Sequence, residues 1–361
     1  MGNVDMLDLN FYRGKKVFVT GHTGFKGGWL CQVLVQAGAE VTGYSLQPPT
    51  QPNLFDIIGL KNRLHHIIGD VRDYDHLKEA LDRSGAEIVL HLAAQPIVRE
   101  SYQNPRETYE TNVMGTVNLL EAVRCSPAVR SVVNVTTDKV YQNREWCWGY
   151  REDEPLDGFD PYSNSKSCSE LVTHCYTDSF FSKGAVRIST ARAGNVIGGG
   201  DFAKDRIIPD CIRAQQQHCP IGVRNPYSTR PYQHVLEPVM VYLMIAQLQY
   251  QDPSYSGWYN VGPDDCDCVT TGQLVELFCK CWGDDARWSV TSEMNAPHEA
   301  NFLKLDCSKL KAKFDWKPRW HIDRTVELTC AWSKAWLAGE DVVPEMEREI
   351  TEYLSNMKTF E

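Results

Sequence analysis

Six short apolar runs rich in Val, Ile, Thr and Tyr punctuate the first half of the chain: KVFVT ending at Thr20, EVTGY (40–44), HHIIG (65–69), EIVLHLA (87–93), SVVNVT (131–136) and AVRIST (185–190). Between them the apolar positions follow helical spacing. In TNVMGTVNLLEAVR, Val113, Val117 and Leu120 share one side, and in SKSCSELVTHCYTDSFF so do Cys168, Leu171, Val172 and Cys175. Near-continuous apolar strands alternating with helices predict an α/β fold, a parallel sheet covered on both faces. Either helix could also present a face to a second copy. Beyond Arg192 the pattern loosens, Gly, Pro and Trp rise, and the elements become short and irregular. The expected organisation is a sheet-bearing domain over 1–191, rejoined by about 232–261, and a smaller mixed α/β C-terminal substrate domain over 192–231 and 262–361. No internal repeat, low-complexity tract or flexible linker separates them, so the two are expected to pack directly.

The length of 361 residues agrees with two domains and leaves room for a cleft between them. A net charge of -10 without a Lys/Arg run excludes a nucleic-acid or anionic-membrane surface but permits a small anionic ligand held by a few local groups. No stretch is apolar for long enough to span a bilayer, and the opening MGNVDMLDLNFYRGKK mixes acids with apolar residues, so neither an export signal nor a membrane location is expected. Met6 stands where a myristoylation signal wants Ser or Thr. Thirteen dispersed cysteines then predict a reduced, cytoplasmic protein with mostly buried thiols. The pairs Cys266/Cys268 and Cys279/Cys281 lack the two-residue gap of a zinc knuckle, and the second pair lies in a helical pattern that points its members apart. No metal site is expected.

The chemistry begins at the first strand. Gly21, Gly24 and Gly27 follow it directly and open a helix, which is the context of a phosphate-binding turn. Gly21 would make the tight turn, Gly24 would let a pyrophosphate approach the backbone, and Gly27 would let helix and strand pack closely. In GDVRD, Asp70 could accept from an adenine amino group or simply hold a turn, and small Ala93 and Ala94 in HLAAQP leave room for a cofactor against the backbone. The second strand ends in Tyr44 and Ser45, with neither an acid for ribose hydroxyls nor a base for a 2'-phosphate. That favours NAD and leaves NADP open.

A second cluster follows the strand ending at Thr136: Thr137, Asp138 and Lys139, then Tyr162 and Lys166 one helical turn apart. Hydride transfer from an alcohol needs a base such as Tyr162, an ammonium such as Lys166 to favour its phenolate, and a hydroxyl such as Thr137 to orient the alcohol. Asp138 and Lys139 are surplus to that, and point to an elimination as well.

The motifs TGHTGFKG, GDVRD, HLAAQP, TNVMGT, TTDKVY, PYSNSK, ARAGNVIGGGD, RPYQHVLEP and YNVGP run almost end to end, and with them the chain resembles the extended short-chain dehydrogenase/reductases that act on nucleotide sugars. The resemblance implies a Rossmann doubly wound sheet with bound NAD, and extends cofactor contact to Thr23, Phe25, Lys26, Val71, Leu92 and Thr111 as well as Tyr162 and Lys166. Asp138-Lys139 and the Trp-rich insertion before Tyr162 make it most similar to the CDP-D-glucose 4,6-dehydratases; the dTDP-glucose and GDP-mannose enzymes usually carry a glutamate at the position of Lys139. The implied substrate is CDP-glucose. In the implied reaction Tyr162 takes the C4 hydroxyl proton as hydride leaves to NAD, Asp138 helps the C6 hydroxyl leave as water, and hydride returns to C6. Lys139 stands where relatives keep the C5 base, and acts either as a neutral amine or by steering charge. Gln95, Asn195, Arg206, Arg230 and His298 are implied substrate contacts, the arginines supplying charge for a diphosphate. Trp146 and Trp148 could shield the sugar, though packing is the better use for them. A homodimer is implied, with a homotetramer as alternative. Another nucleotide-sugar 4,6-dehydratase acting on dTDP-glucose or GDP-mannose is the near alternative, and a nucleotide-sugar epimerase or reductase and a non-enzymatic dinucleotide sensor are the competing classes; an epimerase or reductase does not need Asp138-Lys139 and a sensor does not need Tyr162 and Lys166.

Overall fold

A computed structural model of the chain describes residues 7–283, 286–291 and 302–355. Seven parallel strands form the central sheet: β1 (Lys16–Thr20), β2 (Glu40–Ser45), β3 (His65–Ile68), β4 (Ile88–His91), β5 (Ser131–Thr137), β6 (Arg187–Ala193) and β7 (Trp258–Val261). Their order is β3-β2-β1-β4-β5-β6-β7. The chain therefore moves outward one way from β1 to β3 and the other way from β4 to β7. The crevice at that reversal, outside the carboxyl ends of β1 and β4, is where such sheets bind ligands. Thr20 ends β1 there, in register with Tyr44 of β2 and His91 of β4.

Helices cover both faces. On one, Phe25–Gln36 and Leu236–Gln251 bury Trp29, Leu30, Val239 and Leu243 against Val19, Leu90 and Val133 of the sheet. Helix Leu236–Gln251 is apolar on all sides because it is enclosed on all sides. On the other face, Tyr74–Ser84, Gly115–Arg124 and Pro161–Tyr176 bury Leu77, Leu81, Leu119 and Leu120 against Phe18, Val89 and Val132. The start of Pro161–Tyr176 is fixed locally: the Asp160 side chain accepts from the Ser163 amide, and Pro161 occupies the first turn. That cap sets the rotation of the helix carrying Tyr162 and Lys166.

The rest of the chain builds a smaller unit. Helices Ile207–Gln216 and Thr271–Trp282 pack through Ile208, Ile212, Leu274 and Phe278, beside two short strand pairs. One joins Ile221–Val223 to Trp288–Val290, the other Thr229–Pro231 to Cys268–Thr270. The C-terminal helices Ile322–Leu337 and Val343–Ser355 send Trp332, Met346 and Ile350 into the sheet-side core, so the two units share packing. Among the described residues no helix is long and apolar enough to cross a membrane.

Two boundaries differ from the sequence pattern. AVRIST begins with exposed Ala185 and half-buried Val186, and β6 starts only at Arg187 and continues to Ala193, where burial on both faces carries it beyond the β-rich letters. Strand β7 is the short WYNV run, set between Gly257 and Gly262, which apolar periodicity alone did not separate from the surrounding irregular segment.

Candidate active site

The glycine turn separates into three physical roles. Gly21 has φ 76°, and a Cβ there would lie 2.8 Å from the Ala93 amide nitrogen. A Cβ on Gly27 would lie 2.2 Å from the Gly21 carbonyl oxygen, so the helix can seat on the strand only with a bare residue. For Gly24, at the amino end of helix Phe25–Gln36, the nearest atom is 3.5 Å away, an ordinary contact. Internal packing does not demand glycine at 24. Its bareness leaves backbone accessible at a helix N-terminus, which suits an anionic group brought from outside.

Around this turn the neighbours are held tightly. Thr20 Oγ1 accepts from the amides of Leu92 and Ala93, both at 3.1 Å. Thr23 Oγ1 lies 2.7 Å from Ser45 Oγ and donates to the Leu46 carbonyl at 3.0 Å, so a hydroxyl pair occupies the end of β2. Phe25 packs on the core edge. Ala94 is half-buried at the mouth of β4, and Val71 is buried, where a side chain on Gly115 would collide with it at 2.6 Å. The Asp70 carboxylate is occupied: it accepts from the Arg72 amide at 2.9 Å and from its guanidinium at 2.6 Å. This is the turn-holding use of Asp70. Gln95 is likewise spent locally, donating to Thr108 Oγ1 at 2.9 Å and accepting from the Ile97 amide at 2.6 Å. Thr111 lies in a widened π-helical turn, Glu110–Met114, whose next residue, Asn112, accepts from the Gln95 amide at 2.8 Å and donates to Ser165 Oγ at 2.9 Å.

The reaction cluster stands at the end of β5. Thr137 Oγ1 donates to Asp138 Oδ1 at 2.9 Å, and Lys139 Nζ reaches the same oxygen and Asn195 Oδ1, each at 3.2 Å. Asp138 is fully buried, and its second oxygen, Oδ2, has no partner. A buried carboxylate oxygen without a donor is costly, so this atom is suited to a hydroxyl that arrives with a ligand. Gly194 keeps the opposite wall thin: a Cβ there would lie 3.2 Å from Asp138 Oδ2 and 2.9 Å from the Pro231 ring.

Tyr162 and Lys166 are both buried beside it. Burial pushes the Tyr162 phenol up to about 12; a hydrogen bond with Thr137 and the charge of Arg206 oppose this, while Asp138 and Asp160 add to it. The protein's own contribution toward phenolate thus comes from Thr137 and Arg206. Lys166 Nζ donates to the Val135 carbonyl at 3.1 Å, and burial pushes it down to about 8 against the opposing charge of Glu170. Lys26 joins the same field: burial, Arg206 and Lys166 push it down to about 7, and its Nζ lies 3.3 Å from Tyr242 Oη.

Of the substrate contacts expected from sequence, Asn195 and Arg206 fall in the cluster. Arg206 Nη1 pairs with Asp201 Oδ2 at 3.1 Å. Arg230 is buried on Thr229–Pro231, donating to the Thr229 carbonyl at 3.0 Å, next to the Pro231 ring that lines the Gly194 wall. His298 lies outside the described residues. Trp146 packs in a cluster with Tyr141, Tyr150 and Leu305, as a packing role requires, whereas Trp148 is 68% exposed.

Sequence reasoning missed the support beneath the site. Glu170, one turn beyond Lys166, is fully buried and pairs with buried Arg192 at 2.9 Å. Thr136 Oγ1 donates to its other oxygen, Thr190 Oγ1 donates at 2.7 Å, and Arg192 Nη1 reaches Tyr141 Oη at 2.8 Å. Asp201 and Tyr242 were missed as well. A signal existed for Glu170, since a carboxylate at i+4 from Lys166 lies on the helix's inward stripe.

Comparison with known proteins gives the same picture. The family model for GDP-mannose 4,6 dehydratase matches residues 18–329. The CDP-glucose 4,6-dehydratase of Salmonella typhimurium is 50% identical over 356 residues, covering 97% of this chain and 99% of that protein. Among solved structures, a UDP-glucose 4-epimerase of Thermotoga maritima with UDP-glucose superposes with TM-score 0.77 at 19% identity, covering 89% of this chain and 99% of that one. A UDP-glucose 4-epimerase of Stenotrophomonas maltophila with NAD and formylated UDP-arabinopyranose gives TM-score 0.77 at 20% identity, covering 90% and 99%. At such identities the structures speak for the fold.

Proposed function

Because the chain belongs to the GDP-mannose 4,6-dehydratase family, we infer that it is a CDP-glucose 4,6-dehydratase, a hydro-lyase with NAD as cofactor that forms CDP-4-keto-6-deoxyglucose and water. One observation carries the elimination half of this reading: Asp138 Oδ2, buried and unpartnered, beside Thr137 and Tyr162. Oxidation of an alcohol alone leaves that oxygen without a use.

When bound, NAD supplies the acceptor that takes hydrogen from C4 and gives it back at C6. The glycine turn and the amino end of helix Phe25–Gln36 would hold its pyrophosphate, and the hydroxyls of Thr23 and Ser45 would be available to its ribose. Thr137 Oγ1 and Tyr162 Oη hold the C4 hydroxyl, and Tyr162 receives its proton, with the charge of Arg206 favouring the phenolate that accepts it. The 4-ketone acidifies the C5 hydrogen. Asp138 then acts as the acid, giving a proton from Oδ2 to the C6 hydroxyl as it leaves as water, and Lys139, bonded to both Asp138 and Asn195, is placed to take the C5 proton and return it to Asp138, which restores the acid. Arg206 and Arg230 supply positive charge for the diphosphate.

Met114, just before helix Gly115–Arg124, Leu171 on helix Pro161–Tyr176 and Phe180 in the turn that follows it are each about half exposed, and they support a homodimer built through these two helices. Thirteen free thiols fit a reducing, cytoplasmic setting. The test of function is to incubate the purified chain with CDP-, dTDP-, GDP- and UDP-sugars and to identify products by mass and NMR. Formation of the 4-keto-6-deoxy sugar from CDP-glucose supports the reading; an epimerised sugar, or reaction confined to another nucleotide, defeats it.

A further inference from the structure

Cys266, set aside above as a metal ligand together with Cys268, meets other ligand-type side chains in the fold. The short turn Asp265–Asp267 after β7 is brought against the amino end of helix Ile322–Leu337, so that Cys266 faces His321 instead. Cys266 Sγ lies 3.9 Å from His321 Nδ1 and 3.6 Å from Asp267 Oδ2, and Asp267 Oδ2 lies 2.9 Å from His321 Nδ1. We propose that these three atoms form a site for a thiophilic divalent cation of the zinc class, outside the reaction cleft, clamping the 264–270 segment to the helix that follows.

Three features support this. The first is metric. A point equidistant from the three atoms lies about 2.0 Å from each, close to the bond lengths zinc makes with imidazole, carboxylate and thiolate. Side-chain shifts of a few tenths of an ångström therefore suffice to bind. The second is chemical. A thiol–imidazole–carboxylate relay for acyl transfer uses opposite ring nitrogens for the nucleophile and the acid. Here both approach Nδ1, the geometry of ligands converging on one centre. The third is preorganisation. Asp267 is buried, and its Oδ1 accepts from the Ile322 amide at 2.9 Å, which aims Oδ2 at His321. The neighbouring acids are engaged elsewhere, Asp264 with Lys311 and Asp265 with Lys304.

On binding, the thiol releases its proton to solvent and Nδ1 becomes an unprotonated ligand while Nε2 keeps a proton. His321 is well exposed, so water completes the coordination. The clamp acts on the strand pair Cys268–Thr270 and Thr229–Pro231, in which Val269 is paired with Arg230. It would thus steady the backbone of a diphosphate-side strand without entering the chemistry.

The test uses the untagged full-length chain after dialysis against a chelator. Cobalt titration should give a thiolate-to-metal charge-transfer band saturating at one ion per chain, and zinc should displace it. Cys266→Ser should abolish the band, and His321→Gln should weaken binding on the order of tenfold or more. Cys268→Ser should bind as wild type does. Zinc should raise the thermal midpoint of wild type and not of Cys266→Ser. His321→Gln alters an exposed side chain, so its folding is not at issue. A band that survives Cys266→Ser, binding unchanged in His321→Gln, or no saturable binding in wild type would each overturn the proposal.

Discussion

Arg192→Met strikes the charged pair beneath the catalytic lysine, and its consequences follow from burial. Burial alone would push Glu170 up, but Arg192, with His174 and Thr136, holds it down at about 2. The drop from an ordinary value of 4.5 corresponds to about 3 kcal/mol of folded-state preference for the carboxylate. Glu170 has a depressed folded pKa, so this contribution is complete above about pH 4.5 and is lost as pH falls toward about 2. Across pH 5 to 8 it is constant. Without Arg192 the carboxylate loses its direct cationic partner and stays buried with the hydroxyls of Thr136 and Thr190, His174 and the more distant charge of Lys166, and the loss should be about 3–5 kcal/mol. Its pKa then rises above the unfolded value, and the sign reverses: the variant should become more stable as pH is lowered from 8 to 5. The double variant Glu170→Leu/Arg192→Met removes both charges and should recover most of the loss. Urea unfolding of the three proteins at pH 5 and 8 measures this. A loss under about 1 kcal/mol in Arg192→Met, with the same pH response as wild type, would refute the reasoning.

The same frame yields further expectations. Gly24→Ala should fold as wild type does yet bind NAD weakly, whereas Gly27→Ala should cost about 1–3 kcal/mol of stability because its Cβ meets backbone at 2.2 Å; equal NAD affinity in Gly24→Ala and wild type would remove the cradle role. Tyr162→Phe should abolish the enzyme-bound NADH absorbance that follows substrate mixing, while Asp138→Asn should keep it and slow water loss by about 10²–10⁴, and unchanged turnover in either variant contradicts the assignment. Lys166 sits at about 8, so turnover should decline above that pH as its ammonium is lost. Glu170→Gln removes the charge that opposes burial of Lys166 and should move this decline to lower pH; an unmoved profile would show that Glu170 does not act on Lys166.

The parts of this molecule that announce themselves in sequence are those whose physics is local. A glycine turn between a strand and a helix, a tyrosine and lysine one turn apart, and near-continuous apolar strands are all set by short-range geometry, so β1 to β6 and the cluster from Thr137 to Lys166 could be read directly. What stayed hidden depends on contacts between distant segments. Arg192 was visible only as a letter of a motif, and its partnership with Glu170 exists because β6 lies beside β5 under the helix Pro161–Tyr176. The bonds that occupy Asp70 come from its own loop and those on Gln95 from its own loop and from Thr108 two helices on, and the pattern of letters does not distinguish an occupied polar group from one offered to a ligand. Strand β7 needed its neighbour β6 to be seen, and Cys266 needed a histidine 55 residues further on.

The central claim is that one pocket oxidises C4, expels water from C6 and returns the same hydrogen. CDP-[4-²H]glucose tests it most directly. After turnover with catalytic NAD, the product should be the 4-keto-6-deoxy sugar carrying deuterium at C6, detected by ²H NMR and mass, with little label in water. Deuterium retained at C4 of an epimerised sugar, or lost to solvent, would contradict the account.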